Sequence, residues 1–441
     1  HFVRLPSQEE WTRFESYTSR IRGIRVSTGD FVHMVNVLAT LSMKYHANPA
    51  QHLFPNLQTL IWQSEQKTEL PFAHLFLPPS LRCLELRLYC GPDDARGPGF
   101  LLLLENQCPT LSQFHMCGID VHMHVAAVSR SLESPACHQL ESLTCGEIDE
   151  PALRYIAKLA TLKDLSIDLP DWLSTYVPRA DEGFVNLQTL SLAAPEISAV
   201  VGFLPSTQLS LKSLKIEITS AKPHARALLS APLQRLFLRL SAGLSYTRLT
   251  RFHLLQSDTG ASRGDKETLD FAALRPLFLF PELRSVYIDG FCSSGLNDNN
   301  LAELAGAWPH LEEFTLNPSP GWRHTPEITF QGLGSLVRAC PSLRDLALTI
   351  DATQLTSAAP GEDNDIHNDN IKTLNLGQSI IAKPADVAVV FGELFWSLKQ
   401  VVVSRYQHQN GVQVQSSYLK LWDEVNSHLR RAQAGKAQTG K

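Results

Sequence analysis

The stretch LNDNNLAELAGAWPHLEEFTL, Leu296 to Leu316, carries two periodicities in succession. Leu301, Leu304, Ala305 and Trp308 fall at i, i+3, i+4 and i+7, the spacing that lines one face of a helix. Pro309 closes that helix, because the residue before a proline is pushed out of the helical region and a proline is tolerated where a strand begins. Leu311, Phe314 and Leu316 follow, and the last two alternate as side chains do on one face of a strand. The next segment, ITFQGLGSLVRACPSLRDLAL from Ile328 to Leu348, has the same layout. Leu333, Leu336, Val337 and Cys340 form the helical stripe, Pro341 the stop, and Leu343, Leu346 and Leu348 the strand. Neither half of such a unit can bury its apolar side alone, so the units must stack on one another.

Working outward, the strand half recurs along the whole chain. It reads Ile21/Ile24/Val26, Leu57/Leu60/Trp62, Leu81/Leu84/Leu86, Leu111/Phe114/Met116 and Leu140/Leu143/Cys145. It continues as Leu162/Leu165/Ile167, Leu187/Leu190/Leu192, Leu211/Leu214/Ile216, Leu233/Leu236/Leu238 and Leu249/Phe252/Leu254. Leu283/Val286/Ile288, Ile371/Leu374/Leu376 and Leu398/Val401/Val403 complete the set. The mean spacing from Ile21 to Leu398 is about 27 residues, inside the leucine-rich-repeat range. Helical stripes also precede the strands near the start, at Phe31, Met34, Val35 and Leu38, and prolines stand before the strands at Pro55, Pro109 and Pro281. The fold expected is an α/β leucine-rich-repeat solenoid, a right-handed horseshoe with parallel strands on the concave face and helices on the convex face.

The expected domain organisation is a single solenoid over 1–431. Residues 1–26 form an N-terminal capping helix and first strand, with Ser7 and Glu10 as a capping box ahead of Trp11, Phe14 and Tyr17. Residues 416–431 form a C-terminal capping helix carrying Tyr418, Leu421, Trp422, Val425 and Leu429, and 432–441 form a disordered tail. Two polar insertions, Gln256 to Thr268 and Asp351 to Asn370, read as exposed loops.

Composition narrows the function. An apolar fraction of 44% over 441 residues supports a large core. A net charge of -5 opposes a nucleic-acid binder, which carries a basic surplus. Apolar runs such as Phe100 to Leu104 are too short to cross a bilayer, so no membrane partner is expected. The cysteines are scattered at repeat positions, which suits a reducing compartment and a cytoplasmic or nuclear location. The chain opens on His1 without a signal peptide and reads as a segment of a longer protein.

Several phrases resemble the fungal F-box/leucine-rich-repeat proteins of mushroom-forming fungi. PSQEEWTRFESYTSRIRGIRV, Pro6 to Val26, is similar to the segment that follows the F-box there, and LFPNLQTLIW, Leu53 to Trp62, resembles a recurrent repeat, as do the two segments quoted first. The resemblance implies a substrate-recognition domain of a cullin–RING ubiquitin ligase, whose adaptor is bound by an F-box. No Leu-Pro-x-Glu-Leu segment precedes Trp11, so the adaptor is a partner only if an F-box lies upstream. The alternative is a protein-interaction scaffold outside any ligase.

No chemistry-bearing motif emerges. Cys108, His115, Cys117, His122, His124, Cys137, His138 and Cys145 lack the paired spacing of a zinc site. The acidic run Asp363 to Asp369 lacks the glycine and distal glutamate of a calcium loop. No phosphate-binding loop, dinucleotide fingerprint or nucleophile elbow is present, so neither an enzyme nor a cofactor or resident metal is expected. The informative positions are those between the core residues of each strand, which face the concave side. Lys215, Arg235, Phe237, Arg239, Arg251, His253 and Tyr287 are the candidate partner-binding residues, flanked by Asp164, Asp168, Asp289 and Glu313. They suit an acidic segment of a protein partner, bound by a chain that is monomeric on its own.

Overall fold

A computed structural model describes residues 7–27, 35–46, 52–64, 70–88, 101, 103–104, 107–117, 125–175, 183–204, 209–219, 231–257, 268–293, 295–318, 326–355, 367–404 and 414–439. The chain divides into two compact units, one of residues 1–170 and 178–192, the other of 171–177 and 193–441.

In the first unit the strands β1 (Gly23–Val26), β2 (Thr59–Ser64), β3 (Cys83–Leu88), β4 (Gln113–Cys117), β5 (Ser142–Thr144) and β6 (Asp164–Asp168) lie in chain order. All are parallel, with Leu60 beside Leu84, Leu84 beside Phe114, Phe114 beside Leu143 and Leu143 beside Leu165. That register stacks each core residue on its counterpart in the next repeat. The connections are helices at Val35–His46, Val125–Leu132 and Glu150–Ile156, with 3-10 turns at Leu70–Phe76 and Pro135–Cys137. The expected alternation of strand and helix is present, although the described part of the β2–β3 connection is the 3-10 segment Leu70–Phe76 rather than an α-helix.

Hydroxyls just ahead of β3, β4 and β6 tie each of these repeats to the one before. Ser80 Oγ donates to the carbonyls of Pro55 and Leu57 at 2.9 and 2.8 Å, and Thr110 Oγ1 to those of Pro79 and Leu81 at 2.8 and 3.1 Å. Thr161 Oγ1 donates to the Leu140 carbonyl at 2.7 Å. Each hydroxyl thereby satisfies a turn carbonyl of the preceding repeat. The unit opens with the helix Gln8–Thr18, whose capping box joins Ser7 and Glu10 as expected.

The second unit holds β8 (Ser213–Ile218), β9 (Arg251–Gln256), β11 (Ser285–Asp289), β13 (Glu313–Leu316), β14 (Asp345–Leu348), β16 (Thr373–Asn375) and β18 (Gln400–Val402), parallel and in that order. The strand Thr189–Ala194 (β7) spans the division between the units. Two small parallel pairs lie apart from the main sheet: Thr268–Leu269 (β10) with Cys292–Ser293 (β12), and Asp351–Ala352 (β15) with Ile380–Ile381 (β17). Gln256, Thr268 and Asp351, at ends of the polar insertions, thus belong to strands, and Asp351 is buried. Asp363 to Ile366 and most of Gln256 to Thr268 lie outside the described residues, as do Phe31 and Met34.

The helices Asp298–Ala307 and Phe330–Ala339 match the stripes expected of them, with Leu301, Leu304, Ala305, Leu333, Leu336 and Val337 all buried. The first is capped by Asn297, and its Asp298 carboxylate accepts from Thr329 N and Thr329 Oγ1, both at 2.6 Å. Asn317, held at φ 47°, bonds both backbone groups of buried Phe291 through its side chain.

One repeat was misread in the sequence. Leu233, Leu236 and Leu238 lie not on a strand but on the helix Ala231–Gly243. Leu233, Leu236, Phe237 and Leu240 are its buried stripe, and Leu238 is 51% exposed. The pattern leucine, two residues, leucine is common to both structures. Only the next apolar residue distinguishes them, at +4 for a helix and +5 for a strand, and here both positions are apolar. The repeat around it is correspondingly long: the Thr250 hydroxyl donates to the Lys212 carbonyl, 38 residues back.

The last strand is closed by the helix Val414–Thr439, which buries Trp422, Val425 and Leu429. Its Asn426 side chain accepts from Val401 N at 2.8 Å and donates to the Val401 carbonyl at 2.9 Å. Gln433 Nε2 also donates to the Leu398 carbonyl. The helix extends beyond the expected 416–431 and includes most of the residues assigned to a disordered tail.

Candidate partner-binding surface

Alternation along the strands of the second unit settles which side chains are available. Leu214 and Ile216, Phe252 and Leu254, Val286 and Ile288, Phe314 and Leu316 point into the core. Ser213 and Lys215, Arg251 and His253, Ser285 and Tyr287, Glu313 and Thr315 therefore share the opposite face. The register sets them in two rows. One runs Ser213, Arg251, Ser285, Glu313, Asp345, and the other Lys215, His253, Tyr287, Thr315, Ala347.

Three side chains of these rows and Arg344, just ahead of β14, form a chain of hydrogen bonds. Ser285 Oγ donates to Glu313 Oε2 at 2.8 Å, and Arg344 Nη2 donates to Glu313 Oε1 at 2.8 Å. His253 Nε2 lies 3.1 Å from Ser285 Oγ. The hydroxyl has one proton and Glu313 takes it, so Nε2 carries the hydrogen and donates to the serine. The His253 and Tyr287 rings lie with centroids 5.6 Å apart, and the Tyr287 hydroxyl donates to Asp289 Oδ2 at 3.4 Å.

The electrostatics follow from this packing. Burial lowers the His253 pKa from its ordinary value, with Lys215 and Arg251 acting in the same sense and Glu313 opposing, so the ring is neutral near pH 7. The Ser285 hydroxyl and then Arg344 hold Glu313 below the usual carboxylate range. Burial and the neighbouring Asp289 push Tyr287 up.

The arrangement does not favour nucleophilic chemistry. A serine nucleophile passes its proton to an imidazole base. Here the serine proton is given to a carboxylate and the imidazole donates to the serine, which is the reverse polarity. The chain of bonds instead holds the His253 ring and the head of Arg344 in place, while Asp289 holds the Tyr287 hydroxyl.

Of the residues singled out in the sequence, Lys215, Arg251, His253 and Tyr287 come together on β8, β9 and β11. Arg235, Phe237 and Arg239 do not: they lie on the helix Ala231–Gly243. Phe237 is fully buried, edge-on to Phe252, and Arg239 Nη2 donates to the Leu204 carbonyl at 3.0 Å. They are absent from the strand face because the segment that carries them is helical. Glu313 and Asp289 are on this face, whereas Asp164 and Asp168 belong to β6 of the first unit. Sequence reading missed Ser285, Arg344, Asp345 and Lys212. Lys212 and Arg344 stand just before a strand, where only the cross-strand neighbours reveal what a side chain meets. Arg344 bridges Glu312 and Glu313 at 3.3 and 2.8 Å, and Arg284 pairs with Glu312 at 2.8 Å.

Among the described residues, no cluster of three or more histidine, cysteine or acidic side chains could hold a metal ion. His122 and His124 lie outside the described residues. Cys108, Cys137 and Cys145 are buried, and burial pushes the Cys108 thiol up to about 12, which opposes a thiolate ligand. His367, from the acidic run, stacks flat on Trp396 at 3.6 Å. No described helix is long and apolar enough to cross a membrane.

No family model matches the chain, and no curated protein matches it. Solved structures similar to it include the yeast Rad7–Elc1 complex, at 16% identity over 81% of this chain and 74% of that one, with a TM-score of 0.36. An internalin, InlF, from Listeria monocytogenes is 12% identical over 90% and 89%, with a TM-score of 0.39. The leucine-rich-repeat ectodomain of GASSHO1/SCHENGEN3 from Arabidopsis thaliana, in complex with CASPARIAN STRIP INTEGRITY FACTOR 2, is 13% identical over 80% and 53%, with a TM-score of 0.27.

Proposed function

We propose that the chain is a protein-binding leucine-rich-repeat domain without catalytic activity of its own. The observation that carries this reading is the strand face of β8, β9 and β11, where Lys215, Arg251, His253 and Tyr287 stand together, the His253 ring held by Ser285 and the Tyr287 hydroxyl by Asp289. Arginine and aromatic side chains dominate interface energetics, and pre-fixed side chains lose little entropy when a partner docks. The segments resembling fungal F-box/leucine-rich-repeat proteins further support a substrate receptor of a cullin–RING ubiquitin ligase, acting in the cytoplasm or nucleus. Affinity purification of the full-length protein from its native cells, with mass spectrometry of what copurifies, tests both levels. Recovery of the cullin and its adaptor is the result expected of a receptor; a stable partner without them leaves a protein-binding scaffold. Tyr287→Ala is expected to reduce partner recovery severalfold without changing the amount of folded protein, and unchanged recovery would exclude this face.

A further inference from the structure

The charges on the strand face are unevenly compensated. On β13 and β14 the acids meet arginines: Glu312 and Glu313 are engaged by Arg284 and Arg344. On β8 and β9 the cations are less fully paired among the described residues. Lys212 immediately precedes β8, in the pre-strand row that the register continues through Thr250, Arg284, Glu312 and Arg344, and its carbonyl accepts from Arg251 N at 3.1 Å. Both side chains are exposed, and among the described residues neither has a carboxylate within ion-pair distance. Among the described residues Lys215 pairs with Glu217 at 3.5 Å, a contact open to water that screens it. Beside these cations stands the His253–Tyr287 pair, whose imidazole burial keeps neutral, so it offers a ring face rather than another charge.

We infer that this surface binds an acidic peptide segment of the partner, its carboxylates on Lys212, Lys215 and Arg251 and a planar or apolar side chain against His253 and Tyr287. The inference rests on the protein-binding reading and gives the partner's chemistry. Carboxylates fit better than a single phosphate. Lys212 stands in the bend ahead of β8 and Lys215 within the strand, so their ammonium groups meet separate anions. A phosphate also needs several converging donors, and the Ser285 and Tyr287 hydroxyls are already committed to Glu313 and Asp289. The opposing charges are complementary, which sets orientation and speeds encounter.

The test uses the whole chain and a fluorescein-labelled synthetic peptide with glutamates alternating with glycines around a central tyrosine, read by fluorescence anisotropy. Two further peptides replace the glutamates by glutamine or by a single phosphoserine. The glutamate peptide is expected to bind and the glutamine peptide not. Joint reversal of Lys212, Lys215 and Arg251 to Glu should weaken binding about tenfold or more, with a matching loss on raising salt. Joint reversal of Lys383, Lys399 and Lys420 to Glu alters net charge equally and should leave binding in place. Equal loss in both triple variants, or tight binding of only the phosphoserine peptide, would overturn the inference. Thermal melting confirms that each variant is folded. Recovery of the native partner separates this idea from the reading beneath it. Recovery lost in Tyr287→Ala but kept in the Lys212, Lys215 and Arg251 variant defeats the acidic segment alone, loss in both supports it, and recovery in both defeats the binding face itself.

Discussion

Gly332 shows how tightly adjacent repeats are fitted. A methyl group at this position would lie 2.4 Å from Asp298 Oδ1, the carboxylate oxygen that accepts from the Thr329 backbone. Gly332→Ala is therefore expected to destabilise the protein by about 1–3 kcal/mol, because it displaces a bond that caps one helix against the next. Gly306→Ala, also within a helix but with nothing near its added carbon, should be neutral or stabilising by up to about 1 kcal/mol. Urea unfolding of the two variants decides this, and equal effects would refute the clash. Phe237 provides a second contrast. As a fully buried ring against Phe252, its truncation to alanine should cost about 3–5 kcal/mol and act on binding only through folding. That the residue is structural was not legible beforehand, since Phe237 and Leu238 are both apolar and the helix and strand readings differ only in which of them is inside.

At the scale of elements, the legible part of the fold was where two periodicities stood in sequence with a proline between them, as at Leu301 to Leu316 and Leu333 to Leu348. Shape and spacing alone specify those elements, because each apolar stripe must find a neighbour. The illegible part was what lies between stripes. The hydroxyl ties of Ser80, Thr110 and Thr161 use ordinary turn residues whose partners lie a whole repeat away. Likewise Arg344 acquires its role only from Glu312 and Glu313 on the preceding repeat. The same holds at the closing edge, where Asn426 satisfies both backbone groups of Val401. Asn426→Leu leaves that N–H and carbonyl unpaired at an apolar edge, and should lower stability by about 2–3 kcal/mol while promoting self-association. Analytical ultracentrifugation alongside urea unfolding measures both, and an unchanged monomer of unchanged stability would show the amide to be dispensable.

For the molecule as a whole, proton binding links the strand face to stability. His253 and His115 both have pKa values lowered by burial, so the fold favours their neutral forms. That contribution is present above the ordinary histidine value of 6.5 and is lost as pH falls through the lowered folded values. The urea midpoint should therefore drop on acidification below about pH 6, and His253→Gln should flatten the drop. An unaltered profile in that variant would remove His253 from the account. Glu313, held low, adds a further loss only at more acid pH. A last consequence concerns how such an array can lengthen over evolutionary time. Asn426 presents to Val401 the donor and acceptor that the backbone of one more strand would present. An added repeat after β18 would have to evict it, so duplications that preserve the fold must enter upstream, leaving Val401 and Asn426 together as the fixed terminus of a structure that grows from its interior.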